Sequence, residues 1–322
     1  MYSITYKLSK DNKLPRLAIL CGVHGNESHS VSQVLKLLQS VKMHCGNKII
    51  DLDKEREYNK NTERTPDFIR KLILTYSEIT FCMGVNELGL SAESREFINP
   101  SYDDETISNR DFNREFSLEE KMDDILDIKK KILEVVDNND VIIDVHNSPL
   151  CMNTLVFGLD SKINSFVDIA RENEIDFIST GKFTDGILKN YINNTKFSTK
   201  KVGLTAELNG MGYVNNEVRK ASKEFLDNLI LKAYKFLNVN TFSTPSNANI
   251  AIDIVSPARG IISYNKDNPL AFYKAGEVIA YITNLEGIPN GTVTAPMSGK
   301  LVALQSSLFV DAGRSFGTFV AV

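Results

Sequence analysis

Four histidines stand in the chain, at positions 24, 29, 44 and 146, so an imidazole-based metal site has few candidates. His24 and Glu27 lie in Gly22-Val-His-Gly-Asn-Glu27, directly after an apolar run. An H-x-x-E pair in a tight turn behind a strand can aim both side chains at one point, and Gly25 relieves the backbone crowding of such a turn. That pair alone is weak evidence. His146 closes Val141-Ile-Ile-Asp-Val-His146, at the strand edge where open α/β sheets place their sites. With His24 and Glu27 it completes a two-histidine, one-glutamate set, a combination that catalytic zinc uses while keeping a fourth position for water. Asp144, two residues earlier on the same side of the strand, is placed to hydrogen-bond a ligand imidazole and fix its tautomer. A helix cap or loop contact is the equal alternative for Asp144.

A zinc hydrolase also needs a base, a group to neutralise a developing oxyanion and a substrate anchor. Glu207 ends the apolar run Val202-Gly-Leu-Thr-Ala-Glu207, an unusual place for a carboxylate unless it faces a cleft. Desolvation there raises its pKa and suits it to take a proton from water and pass it to a leaving amine. Asp111-Phe-Asn-Arg114 offers an amide and a guanidinium, with which Asn113 and Arg114 can grip a substrate carboxylate. The bland readings are an edge-strand glutamate and a loop salt bridge.

Short apolar runs alternating with amphipathic stretches must position these residues, the pattern of an α/β domain. Strands are expected at 17–23, 79–83, 141–145, 154–157 and 202–207. Val31, Val34, Leu35 and Leu38 recur at helical spacing, and Pro66 opens a helix through Phe68, Leu72 and Ile73. Ser117-Leu-Glu-Glu120 is a capping box for a helix carrying Ile125, Ile128, Ile132, Leu133 and Val136. A further helix is expected from about 223 to 237, and the charged stretch 51–65 reads as a solvated loop. Near Thr241 the texture changes to short strands punctuated by glycine and proline. The expected division is therefore 1–241 as a catalytic α/β domain and 242–322 as an all-β domain.

The 322 residues carry 37 basic against 41 acidic side chains, a net charge of −4 that argues against a generic nucleic-acid binder. No apolar run approaches the ~20 residues that cross a bilayer, and Met1–Pro15 shows no secretory signal. The four cysteines form no C-x-x-C pair. A cytoplasmic protein, without a membrane or nucleic-acid partner, is the expectation; a homo-oligomer stays open.

Taken in order, GVHGNE, DFNR, DVHN and AEL resemble the succinylglutamate desuccinylase/aspartoacylase family, within the zinc carboxypeptidase-like fold. The resemblance runs from about residue 17 to 210, and the β-rich tail fits the family's C-terminal β domain. It implies a mixed, mostly parallel sheet flanked by helices, with a barrel-sandwich-like domain capping the active site. It further implies one Zn2+ per chain on His24, Glu27 and His146, Glu207 as general base and acid, and Asn113 and Arg114 on the substrate carboxylate. An arginine upstream of the DFNR motif would polarise the scissile carbonyl. Arg95 and Arg110 both fit, and the longer separation of Arg95, with room for a returning loop, favours it. The expected activity is removal of an acyl group from a small N-acyl amino acid; a carboxypeptidase and a catalytically silent metal-binding relative are the alternatives. One departure is that no tyrosine follows Tyr281, whereas aspartoacylase proper uses one near its chain end. The phrase Ala295-Pro-Met-Ser-Gly299 resembles biotinyl/lipoyl-type domains, read here as an unmodified structural cap.

Overall fold

The computed structural model describes residues 1–45, 65–95, 111, 113, 116, 126–148, 152–157, 163–179, 188–194, 200–210, 214–237, 250–304 and 309–321. Its larger part is a seven-stranded sheet of β1 (Tyr2–Lys7), β2 (Arg16–Cys21), β3 (Glu78–Met83), β4 (Val141–Ser148), β5 (Thr154–Phe157), β6 (Phe177–Ser179) and β7 (Val202–Asn209). The strand order is β1-β3-β2-β4-β7-β5-β6. The four central strands β3, β2, β4 and β7 run parallel. Strands β1 and β5 pair antiparallel to their inner neighbours, and β6 runs parallel to β5, so the sheet is mixed and mostly parallel, as expected.

Central strands covered on both faces need continuous apolar sequence, and β2 and β4 have it. Leu17, Ile19, Cys21, Ile143 and Val145 point to one face, under α1 (Ser28–Cys45), α2 (Pro66–Thr75) and α7 (Asn216–Lys232). Ala18, Leu20 and Ile142 point to the other, where they meet Ile132 and Val136 of α4 (Leu126–Asn138) and Phe116. Leu188 and Ile192 of α6 (Leu188–Asn194) complete that second face, and α5 (Ile163–Glu172) sets Phe166, Val167 and Ala170 on the first. Side chains alternate along a strand. Asp144 and His146 therefore share the face of Ile142, and Glu207 lies on the same side of β7, opposite Leu204 and Ala206.

Several boundaries differ from expectation, and β2 ends at Cys21, two residues short of the expected Val23. β4 and β7 each continue two residues past their expected functional side chains, so His146 and Glu207 sit within the paired ladder as direct neighbours in register. Helix α7 begins at Asn216, seven residues earlier than 223, because Asn215 caps it by accepting from the Val218 amide at 2.9 Å. Its first turns are polar and gave no apolar period. Strand β1 was not expected, although Tyr2, Ile4 and Tyr6 alternate; it is a largely exposed edge. The capping box at 117–120 and the charged stretch at 51–64 lie outside the described residues.

From residue 250 onward the chain forms two four-stranded antiparallel sheets, β10-β13-β15-β8 and β12-β11-β9-β14. Here β8 is Ala251–Val255, β9 Gly260–Tyr264, β10 Phe272–Tyr273, β11 Val278–Thr283, β12 Pro289–Thr294, β13 Gly299–Leu304, β14 Phe309–Val310 and β15 Ser315–Ala321. They share a core of Ile254, Ile262, Tyr273, Ile279, Ile282, Leu301, Phe316 and Phe319. Val302, Ala303 and Val320 pack on Met152, Val156 and Ile178, and Ser179 bridges to Ile250, which joins this region to the β5–β6 edge. The expected boundary at 241/242 falls outside the described residues. Among the described residues no helix is long and apolar enough to cross a membrane.

Candidate metal centre

Strand β2 stops at Cys21, and Gly22, at φ +72°, turns the chain over the sheet edge. The turn is held by Asn86 N donating to Gly22 O at 2.8 Å and closed by Glu27 N donating to His24 O at 3.3 Å. Gly25 is required by close approach: a Cβ there would lie 1.9 Å from the backbone carbon of Gly89, in α3 (Glu87–Ala92). This crowding lifts His24 and Glu27 toward β4, whose His146 comes up beside them.

The three side chains converge. His24 Nδ1 lies 2.6 Å from Glu27 Oε1, His146 Nδ1 lies 2.9 Å from Glu27 Oε2, and the two Nδ1 atoms are 3.2 Å apart. One ligand atom from each residue fits within 4.8 Å of the others, and all three residues are buried. The far nitrogen of each imidazole faces a carboxylate: His24 Nε2 reaches Asp111 Oδ1 at 3.0 Å, and His146 Nε2 reaches Asp144 Oδ2 at 2.8 Å. An Nε2–H donated outward to a carboxylate leaves the Nδ1 lone pair facing inward, the tautomer that a metal ligand needs. The donor set, its burial and these outward hydrogen bonds fit a divalent metal such as zinc.

The same proximity sets the charges. Burial pushes His146 and His24 toward the neutral form, but Asp144 and Glu27 around the first, and Asp111 and Glu27 around the second, outweigh it and hold both above the usual histidine range. Burial favours the neutral form of Glu27 as well, yet the two histidines hold it down to about 2. Metal binding would replace the protons that these imidazoles hold.

Glu207, the register partner of His146, behaves differently. Burial lifts its pKa to about 6, partly opposed by His146. Its Oε2 is buried and has no hydrogen-bond partner among the described residues.

Arg95 lies at the rim, half exposed, with one nitrogen 3.1 Å from Asp111 Oδ2 and another 3.7 Å from Glu27 Oε1. Asn113 is buried, its Oδ1 accepting from Leu188 N at 3.3 Å and its amide nitrogen 3.4 Å from His146 Nε2. That nitrogen is directed at the site, though His146 Nε2–H is already given to Asp144. Arg110 and Arg114 lie outside the described residues. Of the C-terminal tyrosines, Tyr273 is buried within its own core with its hydroxyl donating to Pro269 O, Tyr264 packs near Phe316, and Tyr281 is exposed.

Two residues near the centre were quoted in the motifs without a role. Asp111, in DFNR, joins His24 to Arg95, and its position two residues before Asn113 was the available signal. Asn147, in DVHN, donates its backbone N–H to Glu27 Oε2 at 3.3 Å.

No protein-family model and no curated protein matches the chain. Solved structures do. The ectoine utilization protein EutE (DoeB) from Ruegeria pomeroyi, solved with product bound, superposes with a TM-score of 0.68 at 13% identity, over 99% of this chain and 88% of that one. An aspartoacylase family protein from Mesorhizobium loti gives 0.64 at 15% identity, covering 99% and 88%. A succinylglutamate desuccinylase/aspartoacylase from Rhodobacter sphaeroides gives 0.61 at 15%, covering 95% and 85%. Over nearly its whole length, then, the chain has the fold of the succinylglutamate desuccinylase/aspartoacylase proteins, the family that its ordered motifs resemble.

Proposed function

We propose that the protein is a zinc-dependent amidohydrolase that removes an acyl group from an N-acyl amino acid or related small carboxylate-bearing substrate. The observation that carries this reading is the buried convergence of His24, Glu27 and His146 beside Glu207, whose carboxyl is desolvated and has one oxygen unpartnered among the described residues. One zinc held by His24, Glu27 and His146 would supply a Lewis acid for the acyl carbonyl and lower the pKa of water.

The remaining roles belong to the protein's own groups. Glu207, poised near pH 6, accepts the proton of the attacking water and delivers it to the nitrogen of the leaving amine. Arg95 is the described arginine within reach of the ligand set, and it shares the charge that develops on the carbonyl oxygen. Asn113 and Arg114 hold the substrate carboxylate, and a two-bond guanidinium fork fixes its direction as well as its charge. Asp144 and Asp111 hold the two imidazoles by their outer nitrogens. Residues 242–322 serve as a cap on the catalytic part, 1–241, admitting small substrates in preference to peptides. The compartment proposed is the cytoplasm, in keeping with the buried, unpaired Cys21 and Cys82.

Metal analysis of the purified protein, followed by amine release over a panel of N-acyl amino acids and C-terminally free peptides, tests the reading. One zinc per chain with turnover confined to small N-acyl amino acids is expected. Turnover of peptides alone would replace the reading with a carboxypeptidase, and zinc without turnover of either class would leave a metal-binding protein.

A further inference from the structure

We infer that Asn147 is a positioning residue that couples the metal-binding turn to the strand carrying the catalytic carboxylate. The inference rests on the metal-centre reading above. Asn147 is 2% exposed, and its backbone N–H and both ends of its side-chain amide are hydrogen-bonded. Its backbone N–H donates to Glu27 Oε2 at 3.3 Å. Its side-chain Oδ1 accepts from Ser30 N at 3.0 Å, an amide in the first turn of α1 that has no partner within its own helix. Its Nδ2 donates to Gly210 O at 2.9 Å, directly beyond the end of β7.

One amide thus ties together the three segments that bear the site. Ser30 is three residues from Glu27, Asn147 follows His146, and Gly210 is three residues from Glu207. The left-handed φ of +105° at Gly210 points to a specific turn at that attachment. Asn153 also holds the end of β7, through Asn209 N at 2.9 Å, but its other bond goes to Ser222 rather than to the metal turn. Only a primary amide serves both ends of Asn147, since Oδ1 must accept while Nδ2 donates. A carboxylate would still cap α1 but would meet Gly210 O with a second acceptor.

Asn193 is a matched control. It is equally buried and equally double-ended, accepting from Gly203 N and donating to Gly203 O, both at 2.9 Å, at the opposite end of the same strand. The test compares Asn147→Ala, Asn147→Asp and Asn193→Ala with wild type. It measures zinc affinity by chelator competition, hydrogen exchange of the metal-free protein, and kcat and KM separately.

Partners that orient ligands typically cost 10–100-fold in metal affinity or activity when lost. Asn147→Ala should weaken zinc binding ~10–100-fold and speed exchange at both 27–31 and 207–210. Asn147→Asp should leave 27–31 protected, loosen 207–210, and lower kcat ~10-fold or more with KM little changed. Asn193→Ala should move none of the site readouts. Wild-type exchange at both segments in Asn147→Ala, or changes matched by Asn193→Ala in every readout, would overturn the inference. Should Asn147→Ala fail to fold, the split between the two segments in Asn147→Asp decides. Absence of zinc from the wild-type protein would overturn the metal reading instead, while the exchange pattern still decides the coupling.

Discussion

In the α/β part, His24, Glu27, Asp144 and His146 lie within one cluster and none is more than 3% exposed. Among the described residues from 250 onward, the one buried polar side chain outside the aromatic set is Ser256, and it is satisfied within its own turn by Ala258 O. Both regions are β-rich and both have dense apolar cores. They differ in what their cores tolerate. Burying ionisable groups is costly unless each is paired. The α/β part therefore concentrates its charge at the edge of its parallel strands, where one turn and two strands meet, and supplies each imidazole with its own carboxylate. The C-terminal sandwich carries no such cluster among its described residues, and its ion pairs Arg259–Asp311 and Lys266–Glu277 lie outside its apolar core. Function and stability should accordingly separate when each region is perturbed.

The largest separation should come from the ligands. His24→Ala or His146→Ala removes one of three protein donors, and zinc affinity should fall by orders of magnitude. Metal analysis of the double variant checks this; full occupancy would remove the cluster from any role in metal binding. Glu207→Gln should retain zinc and fold yet lose turnover by ~10²–10⁴-fold, the usual worth of general acid–base catalysis. The sign of the pH dependence follows from its raised pKa. A base works ionised, so kcat/KM should fall as pH drops through about 6. A cation on the neighbouring ligands favours the carboxylate and moves that limb lower. The limb should vanish from the residual activity of Glu207→Gln, and its persistence would assign the base elsewhere.

Arg114→Lys tests the substrate end. An ammonium cannot reproduce the planar fork, and hydrogen bonds to charged groups are worth roughly 1.5–3 kcal/mol. The loss in kcat/KM should be ~10–100-fold on an N-acyl amino acid and should shrink on the matching amide. Equal losses on both substrates would make Arg114 structural or a partner of the carbonyl.

How much of this was legible from the residues depended on how local each signal was. Buried central strands declared themselves through continuous apolar runs, and the H-x-x-E turn through its glycine. The two-strand extension that places His146 beside Glu207 was not legible, because Asn147, Ser148, Leu208 and Asn209 carry no strand pattern and are held in the ladder by register with each other. The partner of His24 was equally hidden: Asp111 lies 87 residues away, and only the folded chain brings it to 3.0 Å. The edge strand β1 went unread because its apolar side, Ile4 and Tyr6, is short and only half-buried, and the polar start of α7 because it needs no apolar face to exist. The one relies on pairing with β3 and the other on the Asn215 cap.

The smallest predicted effect is the sharpest control on the comparison. Ile282 is fully buried in β11, within the sandwich core and between its two hydrogen-bonded neighbours β9 and β12. Ile282→Val removes one methylene-sized group, keeps the branched shape that suits a strand, and typically costs 0.5–1.5 kcal/mol. That loss should appear in full as a lowered denaturant midpoint for the transition of the C-terminal strands. Zinc affinity and kcat should stay at wild-type values, because the sandwich core shares no hydrogen bond or ion pair with the metal cluster among the described residues. The measurement is a urea titration of Ile282→Val beside a zinc competition assay on the same preparation. A single urea transition for both regions, lowered as a whole by the substitution, would mean that they unfold as one unit, and a change in zinc affinity would couple them in the native state. Separate cores would then not imply separate stabilities, and the sandwich would be a thermodynamic part of the metal site.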